Sequence, residues 1–187
     1  MRVGLVSDSH GLFEPRLREL FAGCDLILHA GDAVRRSVLD ELARIAPVRA
    51  VRGNNDVAPE LEHLPILAAL ELGGVPAVLV HQIGSRGRLH PPVRRAVARH
   101  RARLLVYGHS HRPAAVVEDG LLFVNPGSAG PRRFSLPTTA GVLRVGAGRI
   151  QVRLVDLASP ELRELFPPLA VDLCATVTPT PPGGSRS

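Results

Sequence analysis

Five short segments carry the residues able to do chemistry: Asp8-Ser9-His10, Gly31-Asp32, Gly53-Asn54-Asn55-Asp56, His81 and Gly108-His109-Ser110-His111. Together they offer carboxylate and carboxamide oxygens and imidazole nitrogens, with no thiolate. Such a mixed set suits a divalent Mn, Fe, Zn, Ni or Co ion and argues against an iron–sulfur cluster. The Asp-x-His and His-x-His spacings let two side chains of one loop approach an ion from adjacent directions. Seven donors, Asp8, His10, Asp32, Asn54, His81, His109 and His111, exceed what one metal can take while still holding substrate. They suit two metals with one shared carboxylate. Taken singly, each segment has an ordinary structural reading. Asp-x-His is commonly a turn, Gly-Asp after a strand is a turn or helix N-cap, and Gly-Asn-Asn-Asp is a tight turn. Their occurrence in order, each after an apolar run, is what structural need alone does not explain.

The elements that must carry these segments are legible from periodicity. Val3–Ser7, Leu26–His29 and Val48–Val51 are short apolar runs that read as buried strands. Pro15–Phe21 and Val34–Ile45 between them read as helices. Strand–helix–strand–helix–strand implies parallel pairing with right-handed crossovers. Later the rhythm changes to hairpins: Pro65–Leu72 with Val75–Val80 around Gly73-Gly74, Ala114–Val117 with Leu121–Val124 around Asp119-Gly120, and Thr139–Val145 with Arg149–Val155. Pro91–Arg101 reads as an Arg-rich helix, Arg103–Tyr107 as a strand and Pro160–Phe166 as a short closing helix. Each candidate donor then follows a strand. In an open α/β sheet the carboxyl ends of the strands converge on one crevice. The expected architecture is two sheets packed face to face with helices outside.

Composition sets the outer bounds. The chain has 187 residues, which suits one domain with a tail. We place a domain at 1–166 and a Pro/Thr/Ser/Gly-rich flexible tail at 167–187. A hydrophobic fraction of 45% excludes wholesale disorder, and no apolar run is long enough to span a membrane. The polar opening lacks a signal peptide, so a cytoplasmic location is expected. Two cysteines, Cys24 and Cys174, cannot staple a fold of this size. All 23 basic residues are Arg, which excludes Schiff-base lysine chemistry. The net charge of +6 would attract polyanions, but only six aromatic residues and no Trp leave few stacking platforms. Nucleic acid is therefore not the expected partner.

The ordered set Asp8-Ser9-His10, Gly31-Asp32, Gly53-Asn54-Asn55-Asp56, His81 and Gly108-His109-Ser110-His111 resembles the signature of calcineurin-like metallophosphoesterases. The short length, Asn125-Pro126-Gly127-Ser128 and the lack of lid insertions resemble the small single-domain bacterial and archaeal phosphodiesterases, whose fold the eukaryotic retromer subunit shares. The resemblance covers about residues 1–155. It implies a four-layer α/β/β/α sandwich of two mixed sheets. It also implies two divalent ions, Mn foremost with Fe, Ni, Co or Zn possible, one held by Asp8, His10, Asp32 and His111. The second would be held by Asp32, Asn54, His81 and His109, with Asp32 bridging. Asp32 and Asn54 would be the catalytic pair, and a hydroxide bridging the metals would cleave a P–O bond of a small phosphoester. Alternatives are a phosphomonoesterase or nucleotide pyrophosphohydrolase with the same site, or a non-catalytic scaffold, for which eroded ligands would be expected.

Two positions depart from the family pattern. Many larger members carry His after Gly-Asn as proton donor to the leaving group, whereas Asn55 here cannot act as an acid. Gln82 follows His81 where Gly is common. Asn55 and Arg86 are candidate substrate contacts. Arg86 and Arg88 could steer phosphate, against the plainer reading of a solvated basic face. His29 reads as a core or supporting residue, Asp56 as an orienter of its loop or a plain turn residue, the Asn125 turn as structural, and His63, His90 and His100 as solvated.

Overall fold

The hydrophobic runs become strands of two sheets. The computed structural model describes residues 1–85, 88–132 and 135–172. Strand β1 (Arg2–Val6), helix α1 (Leu17–Leu20), β2 (Leu26–His29), helix α2 (Arg36–Ala43) and β3 (Val48–Ala50) form the expected crossover series. β1, β2 and β3 pair in parallel. The turns at Gly73-Gly74 and Asp119-Gly120 close hairpins β4 (Leu67–Leu72)/β5 (Val75–Val80) and β9 (Ala114–Glu118)/β10 (Leu121–Asn125). Between them lie a two-stranded ribbon, β6 (Gly84–Ser85) and β7 (Arg88–Leu89), helix α3 (Pro91–Arg99) and β8 (Leu104–Val106). The chain continues with β11 (Thr139–Gly146), β12 (Arg149–Asp156) and β13 (Leu169–Asp172).

One sheet has the order β13-β12-β11-β1-β2-β3 and the other β4-β5-β8-β10-β9. Both are mixed: β5, β8 and β10 run parallel, like β1 to β3. Alternate residues of facing strands, among them Leu5, Leu28, Leu79, Leu104 and Leu122, meet in a core between the sheets. A second core joins the first sheet to α1 and α2 through Phe21, Ile27, Leu39 and Leu42. A third joins the second sheet to α3 through Val78, Val93 and Leu105. The layers are thus α/β/β/α, as expected. Each fully buried Leu contributes roughly 1.5–3 kcal/mol from lost apolar exposure.

Two expectations at the C-terminal side are corrected. Pro160–Phe166 is not a helix. Leu162 adopts φ +50°, and the chain turns back to donate Leu165 N–H to Leu154 C=O and accept Asp156 N–H at Arg163 C=O. Those backbone groups are taken by the edge of β12, and Pro167-Pro168 would end a helix there in any case. The boundary at residue 166 does not end the folded sheet, because Leu169–Asp172 pairs with β12 in antiparallel register. Alternation of Leu169 and Val171 toward the core supplies the apolar face of that strand. The expected tail from 173 onward, with Cys174, and the candidate contact Arg86 lie outside the described residues. No helix among the described residues is long and apolar enough to cross a membrane.

Candidate metal centre

Parallel strands in both sheets place the segments after β1, β2, β3, β5 and β8 at one edge of the sandwich. Backbone hydrogen bonds stitch these loops together. Asp8 N–H donates to Gly31 C=O (3.0 Å), His10 N–H to Asp32 C=O (3.0 Å) and Gly108 N–H to His81 C=O (3.0 Å). The local backbone is held in an unfavourable region. Asp8, His10, Asp32, His109 and His111 all have φ between +47° and +66°, five of the seven candidate ligands. Such left-handed geometry in non-glycine residues costs of order 1–3 kcal/mol each and persists only where surrounding contacts over-determine it.

Asp8 is fully buried and sits at the centre. Its Oδ2 accepts Ser7 Oγ–H at 2.6 Å and His109 N–H at 3.0 Å. Its Oδ1 is buried and receives no hydrogen bond, although His111 Nε2 lies 3.1 Å away. His111 Nε2 in turn lies 3.2 Å from His10 Nε2. Two imidazole nitrogens and a carboxylate oxygen thus face a common point. An orphaned buried carboxylate oxygen is costly unless a cation or donor meets it. Burial pushes the Asp8 carboxyl up to about 6, against the hydrogen bond from Ser7. A cation beside it would reverse that shift.

The second cluster is continuous with the first. Ligand atoms of Asp8, Asp32 and His81 lie within 4.8 Å of one another, as do those of Asp8, His10 and His111, so Asp8 is common to both groups. His81 Nδ1–H donates to Ala30 C=O at 2.7 Å, which turns Nε2 toward Asp32 Oδ2 (3.5 Å) and Asn54 Oδ1 (3.1 Å). Such a backbone acceptor fixes the imidazole for ligation. Asn54 Oδ1 also lies 3.0 Å from His109 Nδ1. Burial would raise the Asp32 carboxyl, but hydrogen bonds from His81 and Asn55 outweigh it and hold it below the usual carboxylate range. Burial lowers His81, yet Asp32 and Asp8 outweigh it and raise it overall. His109 is lowered, by burial first and by the His81 charge second.

All seven expected ligands therefore meet at one edge. The donor set, the orphaned Asp8 Oδ1 and the converging imidazole nitrogens fit divalent cations. Asn55, expected as a substrate contact, has its side-chain amide committed to Asp32 Oδ2 (2.6 Å), and its N–H to Asp32 Oδ1 (2.8 Å). Gln82 Nε2 lies 3.4 Å from His109 Nε2 at the rim. His29 is wholly buried behind the site. Its Nδ1 accepts Gly31 N–H at 3.2 Å, leaving Nε2–H for Ser9 Oγ. Burial pushes His29 down to about 4. His63, His90 and His100 are exposed, as expected.

Asp56 and the Asn125 turn were readable as local supports, but their hold on other candidate ligand loops was not. Asp56 is buried, and its carboxylate accepts N–H groups of Asp32 (2.9 Å), Val34 (2.6 Å) and Gly53 (2.7 Å). It locks two ligand loops together and holds β-branched Val34 at φ +65°. Asn125 Nδ2 donates to Gly108 C=O at 2.9 Å, and Ser128 Oγ–H to Asp8 C=O at 2.8 Å. Ser7 was readable only as the end of an apolar strand. Gly53 and Gly108 are required by close approach: a Cβ on the first would enter the Asp32 carboxylate, and on the second would strike Ser7 Oγ and Asp8 Oδ2.

A family model described as the calcineurin-like phosphoesterase superfamily domain matches residues 1–148. The chain belongs to that superfamily of metal-dependent phosphoesterases. It is similar to proteins named probable metallophosphoesterases, one from Methanothermobacter thermautotrophicus (30% identical, covering 88% of this chain and 98% of that one). Another is from Bacillus subtilis (31% identical, covering 88% and 96%). Among solved structures it resembles a Streptococcus pneumoniae protein described as a predicted phosphoesterase, with a TM-score of 0.67 at 26% identity, covering 87% and 95%. The fold also matches Vacuolar Protein Sorting 29 from Cryptosporidium parvum, with a TM-score of 0.75 at 20% identity, covering 91% and 97%.

Proposed function

We propose that the protein is a phosphodiesterase that works with two divalent ions, Mn foremost, on a small phosphoester. The observation that carries the reading is the buried Asp8 Oδ1, without a hydrogen-bond donor, facing the Nε2 atoms of His10 and His111. Asp8, His10, Asp32 and His111 would hold one ion, and Asp32, Asn54, His81 and His109 the other. Bound there, the ions supply Lewis acidity to the phosphoryl oxygens and bring the pKa of a water near neutrality.

The chain's own residues do the remaining work. Ser7, Asn55 and Asp56 fix the carboxylates and their loops. Ala30 C=O sets the His81 tautomer. Asn54 is exposed, and its side-chain N–H groups donate to no group among the described residues. They are free to donate to a phosphoryl oxygen as charge builds in the transition state. Asn55 holds Asp32 and cannot act as an acid, so the leaving oxygen takes its proton from water. That favours good leaving groups such as aryl oxides.

A scaffold role would tolerate eroded ligands, and none of the seven is eroded here. The test is turnover of an aryl phosphodiester, an aryl phosphomonoester and a nucleoside diphosphate derivative by the purified protein with Mn. The diester is expected to be fastest. Faster monoester or pyrophosphate cleavage would replace the diesterase reading. Fewer than one bound metal equivalent after Mn loading would favour the scaffold.

A further inference from the structure

A groove of about 920 Å³ opens directly from the His109 wall of the metal centre. Its floor is the outer face of the second sheet. Phe123 on β10 lies beside Leu105 on β8 and Val116 on β9 in register, and alternation puts all three on the face away from the inter-sheet core. Tyr107, two residues after Leu105, shares that face. Helix α3 covers Leu105 through Val93 but leaves Val116 half-exposed. Val97 of α3 and Leu89 of β7 form the opposite wall. The sole tyrosine of the chain and one of its five phenylalanines therefore line a cleft that begins at His109.

We propose that this groove receives the retained ester group of a phosphodiester, and that this group carries a planar aromatic ring. The inference rests on the phosphodiesterase reading. Three observations select this occupant. The groove volume lies within the range of small-ligand sites, far beyond a bare phosphate. Its rim mixes Arg88, Arg94 and Arg112, none of them ion-paired among the described residues, with Glu118 and Asp119. That balance disfavours a polyanion and suits a neutral ring, flat enough to stack on Tyr107 or Phe123. Finally, the leaving oxygen needs water as its proton source, since Asn55 is no acid. The leaving group must then face solvent, and the groove, lined by Phe123, Tyr107 and Val116, is left for the group that stays on phosphorus. A monoester has no such group and would leave the groove empty.

The test compares phenyl 4-nitrophenyl phosphate with methyl 4-nitrophenyl phosphate, which share a leaving group, on the Mn-loaded protein. The phenyl diester is expected to have the higher kcat/KM, by about tenfold or more. Phe123→Ala, and Val116→Trp as a blocking variant at a half-exposed position, should abolish that preference while sparing the methyl diester and the bound Mn. A second readout is tyrosine emission, which reports Tyr107 alone. Phenylphosphonate, which has no P–O ester to cleave, should change it saturably, and methylphosphonate should not. Equal kcat/KM for the two diesters, equal losses on both in the variants, or unchanged emission would each overturn the groove assignment. Absence of any diester hydrolysis would overturn the phosphodiesterase reading itself, and the ester-group assignment with it.

Discussion

The carboxylate of Asp56 accepts the backbone N–H of Asp32 at 2.9 Å, so a residue outside the candidate ligand set holds a central candidate ligand in its left-handed conformation. The same carboxylate also takes the N–H groups of Val34 and Gly53. Asp56→Ala would leave three N–H groups without their acceptor. We expect a loss of about 3 kcal/mol or more in denaturant-unfolding stability, since a hydrogen bond to a charged group is worth about 1.5–3 kcal/mol. Metal affinity should fall with it by about 10–100-fold. Wild-type Mn affinity in a folded Asp56→Ala protein would show that the loops do not depend on this clamp.

Asp32→Asn should lower turnover by more than about 100-fold, because a direct ligand should matter more than the supporting contacts whose loss costs about 10–100-fold. Metal content measured alongside turnover separates loss of an ion from loss of a rate. Near-normal rates with full metal content would contradict the placement of Asp32 in the ligand set.

Metal removal should destabilise the fold. A ligand that binds only the native state adds about 2.7 kcal/mol at 100 times its Kd. Titrating Mn into chelator-treated protein should raise the unfolding midpoint. The rise should be largely absent in Asp8→Asn, which removes the charge of the carboxylate whose Oδ1 is buried without a donor.

His29 should make the metal-free protein sensitive to mild acid. Its pKa falls from 6.5 to about 4 on burial in the fold. Above pH 6.5 it is neutral in both states and has no effect. Between pH 6.5 and 4 the unfolded chain gains the proton first, so stability falls as pH falls, by about 3 kcal/mol in all. Below pH 4 the contribution is constant. His29→Gln should remove this part of the pH dependence of denaturant unfolding. An identical slope in the variant would assign the acid sensitivity elsewhere.

Gly53→Ala should abolish Mn binding more than it harms folding, since the added Cβ meets the Asp32 carboxylate at a site edge. Metal analysis with circular dichroism of the same sample tests this. Full Mn occupancy in the variant would mean that the loop moves aside.

Much of the architecture followed from local pattern. The glycine-rich turns fixed the hairpins, and the apolar runs fixed the parallel strands, because register and crossover handedness leave few options. The seven candidate ligands were legible because short polar segments after buried strands stand out against their surroundings. The C-terminal side was not legible: the backbone at Arg163 and Leu165 and strand Leu169–Asp172 are claimed by the edge of β12, a partner set by the tertiary fold. Local propensity carries no information about that edge. The same holds for Ser7, and for the reach of Asp56 and Asn125 into neighbouring loops, since these residue types also serve ordinary turns.

By itself, then, the order of residues determined the donor set and the strands that deliver it, since both depend on neighbours a few positions apart. Only the tertiary structure decided that Asn55 grips Asp32, that one Asp8 oxygen is left without a donor, and that an aromatic groove opens beside His109. Those relationships join residues from separate loops and sheets. They exist only once the sandwich has closed and burial has set which polar groups must pair with each other.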